Sequence, residues 1–217
     1  MNRFAILAIS AFFAGTLLPP PSIAATSSEP TVGAGQAGAA PQSRARQRSA
    51  AAKAATEAAR WREVVAAKRP ERIATLSTAF LRDFPDSHAL DEARQLAAGA
   101  ARAHAIQRDV GLSGDFFDTA KGNGAFMTNL LNAARGDAAA AFEVSQAFGS
   151  GSSGVAANLH RQTQWLHFAA ELGHPRASWE LAVRYNRDGR MAEAAHFESR
   201  AIVLGFKPPP RLPTRGY

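Results

Sequence analysis

The chain has 217 residues, no cysteine and a formal net charge of +7. The missing cysteines exclude a disulfide framework, a thiolate metal site and a lipidated cysteine, so the fold must rest on burial of apolar surface. A nucleic-acid binder would gather its charge on a folded face, whereas residues 51–206 hold 18 basic against 17 acidic side chains and the excess lies near the ends.

The first stretch, MNRFAILAISAFFAGTLLPPPSIAATSS, opens with Arg3 and runs apolar from Phe4 to Leu18 before Pro19-Pro20-Pro21 and Ser22-Ile23-Ala24. That is the layout of a secretory signal peptide over residues 1–24, with cleavage expected after Ala24 or Ala25. A membrane span needs about 20 apolar residues, and the prolines end this run too early. Residues 25–49 are rich in Gly, Ala, Ser, Pro and Gln and contain no aromatic residue. Such a segment buries too little surface to offset its ordering entropy, which predicts a disordered linker. Arg44, Arg46 and Arg48 there, with Lys207, Arg211 and Arg215 in the tail, place basic charge on both flanks. Contact of these ends with anionic envelope components or an acidic partner is expected, and nucleic acid is not. The Pro-rich tail 207–217, KPPPRLPTRGY, is not expected to be helical, because proline lacks the donor and clashes with the preceding turn.

Residues 50–108 read as a helical region, since alanine is abundant and no strand-like alternation occurs. The first helix is predicted from about Ser49 to Lys68, with Trp61, Val64 and Val65 among its apolar positions. The second begins at Pro70, where a first turn tolerates proline. It carries Ile73, Leu76, Phe80 and Leu81 and stops at Phe84-Pro85. Asp86 or Ser87 is expected to cap the third, with Asp91 and Glu92 near its positive end, and this helix continues to about Ile106. Residues 109–124 form a glycine-rich break anchored by Phe116 and Phe117, read as a boundary between helical units, and a short helix is expected to follow from about Ala125 to Arg135.

From Gly136 the chain repeats itself. At an offset of 37, Gly136, Ala140, Phe142, Val144 and Phe148 match Gly173, Ala177, Trp179, Leu181 and Tyr185. On the following helices Trp165, Ala169 and Gly173 match Phe197, Ala201 and Gly205 at an offset of 32. A length change confined to a loop is how helical-pair repeats behave.

The residues Ala140, Phe142, Phe148, Gly151, Gly154, Val155, Trp165, Ala169, Ala170, Gly173 and His174 follow a recognisable pattern. Over about 136–205 it resembles the Sel-one-like (SLR) repeat, a relative of the tetratricopeptide repeat. The second copy departs from it, because Tyr185-Asn186-Arg187-Asp188-Gly189 lacks the Gly-Val insert and looks more like a tetratricopeptide turn. Upstream, FLRDFPDSHALDEAR resembles, less specifically, a helix–turn–helix junction of tetratricopeptide-type envelope proteins. The resemblance implies an all-α helical-hairpin solenoid, with the Sel-one-like part over residues 109–206.

The stretch Gly149-Ser150-Gly151-Ser152-Ser153-Gly154 also spells a dinucleotide fingerprint. That fingerprint must follow a strand, open a helix and precede an acidic residue about 20 positions on. Here the flanking segments read as helices, so the glycines belong to the repeat loop and no cofactor is expected. His160, His167 and His174 recur every seven residues, which separates neighbouring side chains by about 10 Å along a helix, whereas helical ligand pairs are three or four apart. No metal site is expected from them. No catalytic motif occurs either, so no catalytic residue is assigned and the chain is read as non-enzymatic.

Arg176, Glu180, Arg184 and Arg187 form a polar stripe along one predicted helix, opposite Ala177, Leu181 and Tyr185. Such a stripe is either a solvated face stabilised by i,i+4 pairs or a patch for a partner's acidic segment. The expected function is that of an exported protein-interaction scaffold in the bacterial periplasm. The alternatives are a periplasmic regulator that binds a membrane sensor kinase, or an accessory factor or enzyme of cell-envelope polymer metabolism.

Overall fold

The computed structural model describes residues 39–118 and 121–209. The expected signal peptide, linker residues 25–38 and tail residues 210–217 lie outside the described residues. Among the described residues there are eight helices and no strand: α1 (Ala39–Ala66), α2 (Pro70–Asp83), α3 (Leu90–Asp109), α4 (Gly124–Ala134), α5 (Ala138–Ser150), α6 (Leu159–Glu171), α7 (Pro175–Arg187) and α8 (Met191–Val203). None of these helices is long and apolar enough to cross a membrane. The chain divides into two units between Ser43 and Arg44, and the packing below belongs to the second.

Helix α1 begins ten residues before the predicted Ser49, so residues 39–49, expected as linker, are helical. The segment after Pro41 contains no glycine or proline and consists largely of Ala, Arg, Gln and Lys, which fit a helix at little cost. Residues 42–56 are exposed, while Val64 is buried and the Trp61 ring lies 5.1 Å from Phe80. The helix ends at Ala66 because Arg69, preceding Pro70, is extended with ψ 137°. Pro70 opens α2 as predicted, and α2 stops before Phe84-Pro85. The expected cap of α3 is corrected. Its N-cap is Ala89, without a side-chain bond. Ser87 is spent on the turn, accepting from the Ala89 N–H at 3.1 Å and donating to Glu57 of α1.

The glycine-rich break delivers two rings to the core. Phe116 stacks on Trp165 at 4.3 Å, Phe117 meets it edge-on at 5.3 Å, and all three are buried. Ile73 of α2 and Ala100 and Ala103 of α3 share that core with residues of α4 to α8. A smaller cluster joins Val64, Phe80, Phe84, Ala89 and Ala93. Within α3, Gly99 lies against the turn between α4 and α5. A Cβ there would sit 2.1 Å from the Arg135 carbonyl oxygen, and one on Gly136 would sit 2.6 Å from the Gly99 oxygen. Gly136 also has φ +92°, which L side chains rarely adopt.

The four C-terminal helices are each 13 residues long. Helix α7 starts and ends 37 residues after α5, and α8 starts and ends 32 residues after α6, the same offsets as the matched side chains. Helix α5 packs on α6, α6 on α7, and α7 on α8. The whole change of offset falls between Gly151–Asn158 and the shorter connection Asp188–Arg190. Ala140, Phe142, Phe148, Trp165, Ala169, Ala177 and Phe197 are buried, while Trp179 and Tyr185 are half-buried. Gly151 closes α5 in the left-handed conformation at φ +69°, and Gly154 follows in the loop. Gly173 and Gly205 follow the ends of α6 and α8.

Candidate functional site

Asp137 caps α5, its side chain accepting from the Ala139 and Ala140 N–H groups at 2.8 and 3.0 Å. One repeat later His174 does this for α7, with Nδ1 accepting from the Ala177 N–H at 3.1 Å. Its ring stacks on Phe142 at 4.3 Å, and the Arg176 guanidinium lies 5.6 Å from the centre of the Phe142 ring. These contacts fix how α7 lies on α5 and α6, and so where its polar stripe points.

The stripe is less solvated than the sequence suggests. Arg176 pairs with Glu180 at 3.2 Å, and Glu180 also accepts from Gln146 of α5 at 3.2 Å. Arg184 donates to the Thr163 hydroxyl of α6 at 2.9 Å. Arg187 is exposed and has no ion pair among the described residues. Three of the four are thus held by neighbours, Arg176 and Glu180 by each other and Arg184 by Thr163, while Arg187 is exposed.

Arg184 and Arg187 line a cleft of about 480 Å³ between α6 and α7, together with Thr163, His167, Tyr185, Asp188 and Arg190. The Tyr185 hydroxyl and His167 Nε2 are 2.8 Å apart, and the Arg190 guanidinium lies 4.4 Å from the centre of the Tyr185 ring. Arg190 also pairs with Glu193 at 2.6 Å. The cleft therefore presents three guanidinium groups against one lining carboxylate, on a wall held by the Tyr185–His167 and Arg184–Thr163 contacts. Guanidinium forks match the planar geometry of a carboxylate. Sequence reading missed Arg190 and His167 here. Arginines at 184, 187 and 190 recur every three residues, but the helix ends between the second and the third, so no helical projection lines them up.

The three regularly spaced histidines serve different neighbours. His160 is exposed, His167 pairs with Tyr185, and His174 caps α7. Among the described residues no group of three His, Asp or Glu side chains is placed to hold a metal ion. Gly149 lies in the last turn of α5, and Gly151 and Gly154 lie in its connection to α6.

No protein-family model matches the sequence, and no curated protein and no solved structure matches it significantly.

Burial pushes the pKa of both His167 and His174 below the ordinary 6.5. Arg190 and Arg184 act in the same sense on His167 and Glu171 opposes them, while Arg176 adds to the effect on His174 against Glu143, Glu180 and Asp137. The folded state therefore binds fewer protons than the unfolded chain in the window just below pH 6.5, and stability falls as pH drops through it. Protonation of His174 at Nδ1 also removes the acceptor of the α7 cap. Thermal melts between pH 7.5 and pH 5 are expected to show a falling Tm. His174→Asn, a capping residue that does not titrate, is expected to flatten part of that fall. An equally steep profile in the variant would show that the His174 cap does not carry it.

Proposed function

We propose that this chain is an exported, non-enzymatic interaction scaffold built as a short Sel-one-like and tetratricopeptide-like helical-hairpin solenoid. Helix bounds that recur with the side-chain offsets support the repeat reading, since units that stack only on their neighbours keep their helices and vary their loops. The observation that carries the functional reading is the convergence of Arg184, Arg187 and Arg190 on the α6–α7 cleft. A rigid wall with an excess of guanidinium groups suits a carboxylate-bearing segment of a partner protein.

The test is capture from an extract of the native cell with the purified protein and with the Arg184→Glu/Arg187→Glu variant, alongside titration with an oligoglutamate peptide. The variant should lose the partner and weaken peptide binding by about 10-fold or more, as expected when two charged hydrogen-bonding groups of about 1 kcal/mol each are reversed. The single variant Arg187→Glu, exposed and without an ion pair among the described residues, should keep the wild-type melting temperature and still weaken binding, whereas the double variant also loses the Arg184–Thr163 hydrogen bond, a cost of about 1 kcal/mol. Unchanged capture and unchanged peptide affinity would remove the cleft from consideration.

A further inference from the structure

The arginine cleft contains a titratable pair that recognition of a carboxylate by guanidinium groups leaves unused. His167 is half-buried on α6, and its Nε2 stands 2.8 Å from the Tyr185 hydroxyl, both side chains lining the cleft beside Arg184, Arg187 and Arg190. A neutral imidazole has one N–H, so the bond to Tyr185 can run in either direction. The imidazolium has a proton on each nitrogen. Nε2 must then donate and the Tyr185 oxygen must accept, which leaves the hydroxyl proton for a second acceptor. Burial raises the Tyr185 pKa above its ordinary 10.0, so the hydroxyl still carries that proton at neutral and acidic pH.

Burial also disfavours charge on the His167 ring. Arg190, the N-cap of α8, and Arg184 of α7 repel that charge as well, while Glu171 of α6 attracts it. Glu171 is itself paired with Arg200 of α8 at 3.1 Å, and Glu193 with Arg190 at 2.6 Å. Of the other helices packed on α6, α5 brings Glu143, which acts on His174, and α3 brings Arg102, which reaches the Glu171 carbonyl oxygen at 3.5 Å. Asp188 is the one carboxylate of the lining, and Leu159, Thr163 and Leu181 there carry no charge. A carboxylate seated among the three guanidinium groups would offset their repulsion and make protonation of the ring easier.

We propose that His167 and Tyr185 form a proton-coupled switch in this cleft, in which one proton taken up by His167 tightens the binding of an acidic segment. The proton supplies a fourth positive charge to the cleft and turns the Tyr185 hydroxyl into a donor for the bound carboxylate. Coupling of this kind is reciprocal, so the segment raises the affinity of His167 for its proton by the same factor. The acidic segment is therefore held more tightly in acidic surroundings and let go toward neutral pH. The proposal rests on the reading of the cleft as a carboxylate site and adds the condition under which that site releases its ligand.

An oligoaspartate peptide is the probe, because its carboxylates stay ionised above about pH 5.5. Titrated into the purified protein at constant ionic strength, it should bind about 5-fold more tightly at pH 5.5 than at pH 7.5, the worth of one added charge pair at close range in water. Circular dichroism at both pH values checks that the fold is retained. Histidine ring resonances should place the His167 pKa higher in the saturated complex than in the free protein. His167→Gln keeps a hydrogen-bonding side chain but takes up no proton, and its affinity should be equal at both pH values, whatever its level. Tyr185→Phe should show a smaller rise than the wild type, because only the charge remains. Equal wild-type affinity at both pH values, a rise that survives His167→Gln, or a His167 pKa unmoved by the peptide each overturns the switch while leaving the cleft a carboxylate site. An undiminished rise in Tyr185→Phe overturns the part given to the hydroxyl. Failure of the peptide to bind at either pH overturns the switch and the carboxylate reading together.

Discussion

Gly99→Ala is expected to lower the unfolding free energy by about 3 kcal/mol, the upper part of the usual cost of overpacking. On helix propensity alone the substitution should stabilise, since alanine is favoured over glycine in a helix interior by about 1 kcal/mol. The opposite sign follows from the packing. The new methyl would lie 2.1 Å from the Arg135 carbonyl oxygen, which is backbone and cannot rotate away. Relief would require α3 to move from the α4–α5 turn, and that turn is held by Gly136 at φ +92° and by the Asp137 cap of α5. The expected fall in Tm is roughly 6–12 °C, at about 2–4 °C per kcal/mol for a chain of this size. A urea melt checks it directly. A Gly99→Ala protein as stable as the wild type would mean that α3 does not approach the turn this closely.

Trp165→Ala is expected to cost about 3–5 kcal/mol, the range for removal of a large buried aromatic side chain. Trp165 is fully buried and touches Phe116 at 4.3 Å, Phe117 at 5.3 Å and Phe168 at 5.6 Å. Without it, the rings that fasten the glycine-rich break to α6 face a cavity. Domains of this kind are stable by only about 5–15 kcal/mol in total, so loss of cooperative unfolding is within reach. Trp165→Phe should behave differently. The indole Nε1 is buried without a hydrogen-bond partner among the described residues, a cost of about 1–3 kcal/mol that phenylalanine removes. That gain offsets part of the lost contact area, and the net change is expected below about 1.5 kcal/mol. If both substitutions cost the same, stacking of the larger ring on Phe116, rather than filling of the space, dominates this core.

Much of the helical order could be read along the chain, because its signals are local. Pro70 and the Phe84-Pro85 pair delimit α2 through constraints on adjacent backbone angles. The matched aromatics and alanines fall on matched helices because side chain and helix bound share one period. The early start of α1 was not legible. Residues 39–49 look like a linker by composition, yet their alanines and arginines favour a helix that continues into the packed Trp61 and Val64. Gly99 was invisible for another reason. An isolated helical glycine acquires meaning only from the chain that crosses it, here at Arg135 and Gly136, more than thirty residues away. The arginine stripe was half legible: Arg184 and Arg187 do border a cleft, but Arg190 and His167 reach it from α8's cap and α6, which no single-helix projection unites.

The α5–α6 connection spans Gly151–Asn158 and the α7–α8 connection only Asp188–Arg190, yet all four helices kept their 13-residue length. The joint within a helical pair thus accommodates either length without altering the helices on its two sides. An engineer wishing to thread an epitope or a fluorophore into the protein would choose the longer joint at exposed Ala156, since Gly189 has φ +73° and lies between Asp188 and Arg190 of the arginine cleft. The same operation between α6 and α7 would sever the His174 stacking platform and scramble the register of the stack.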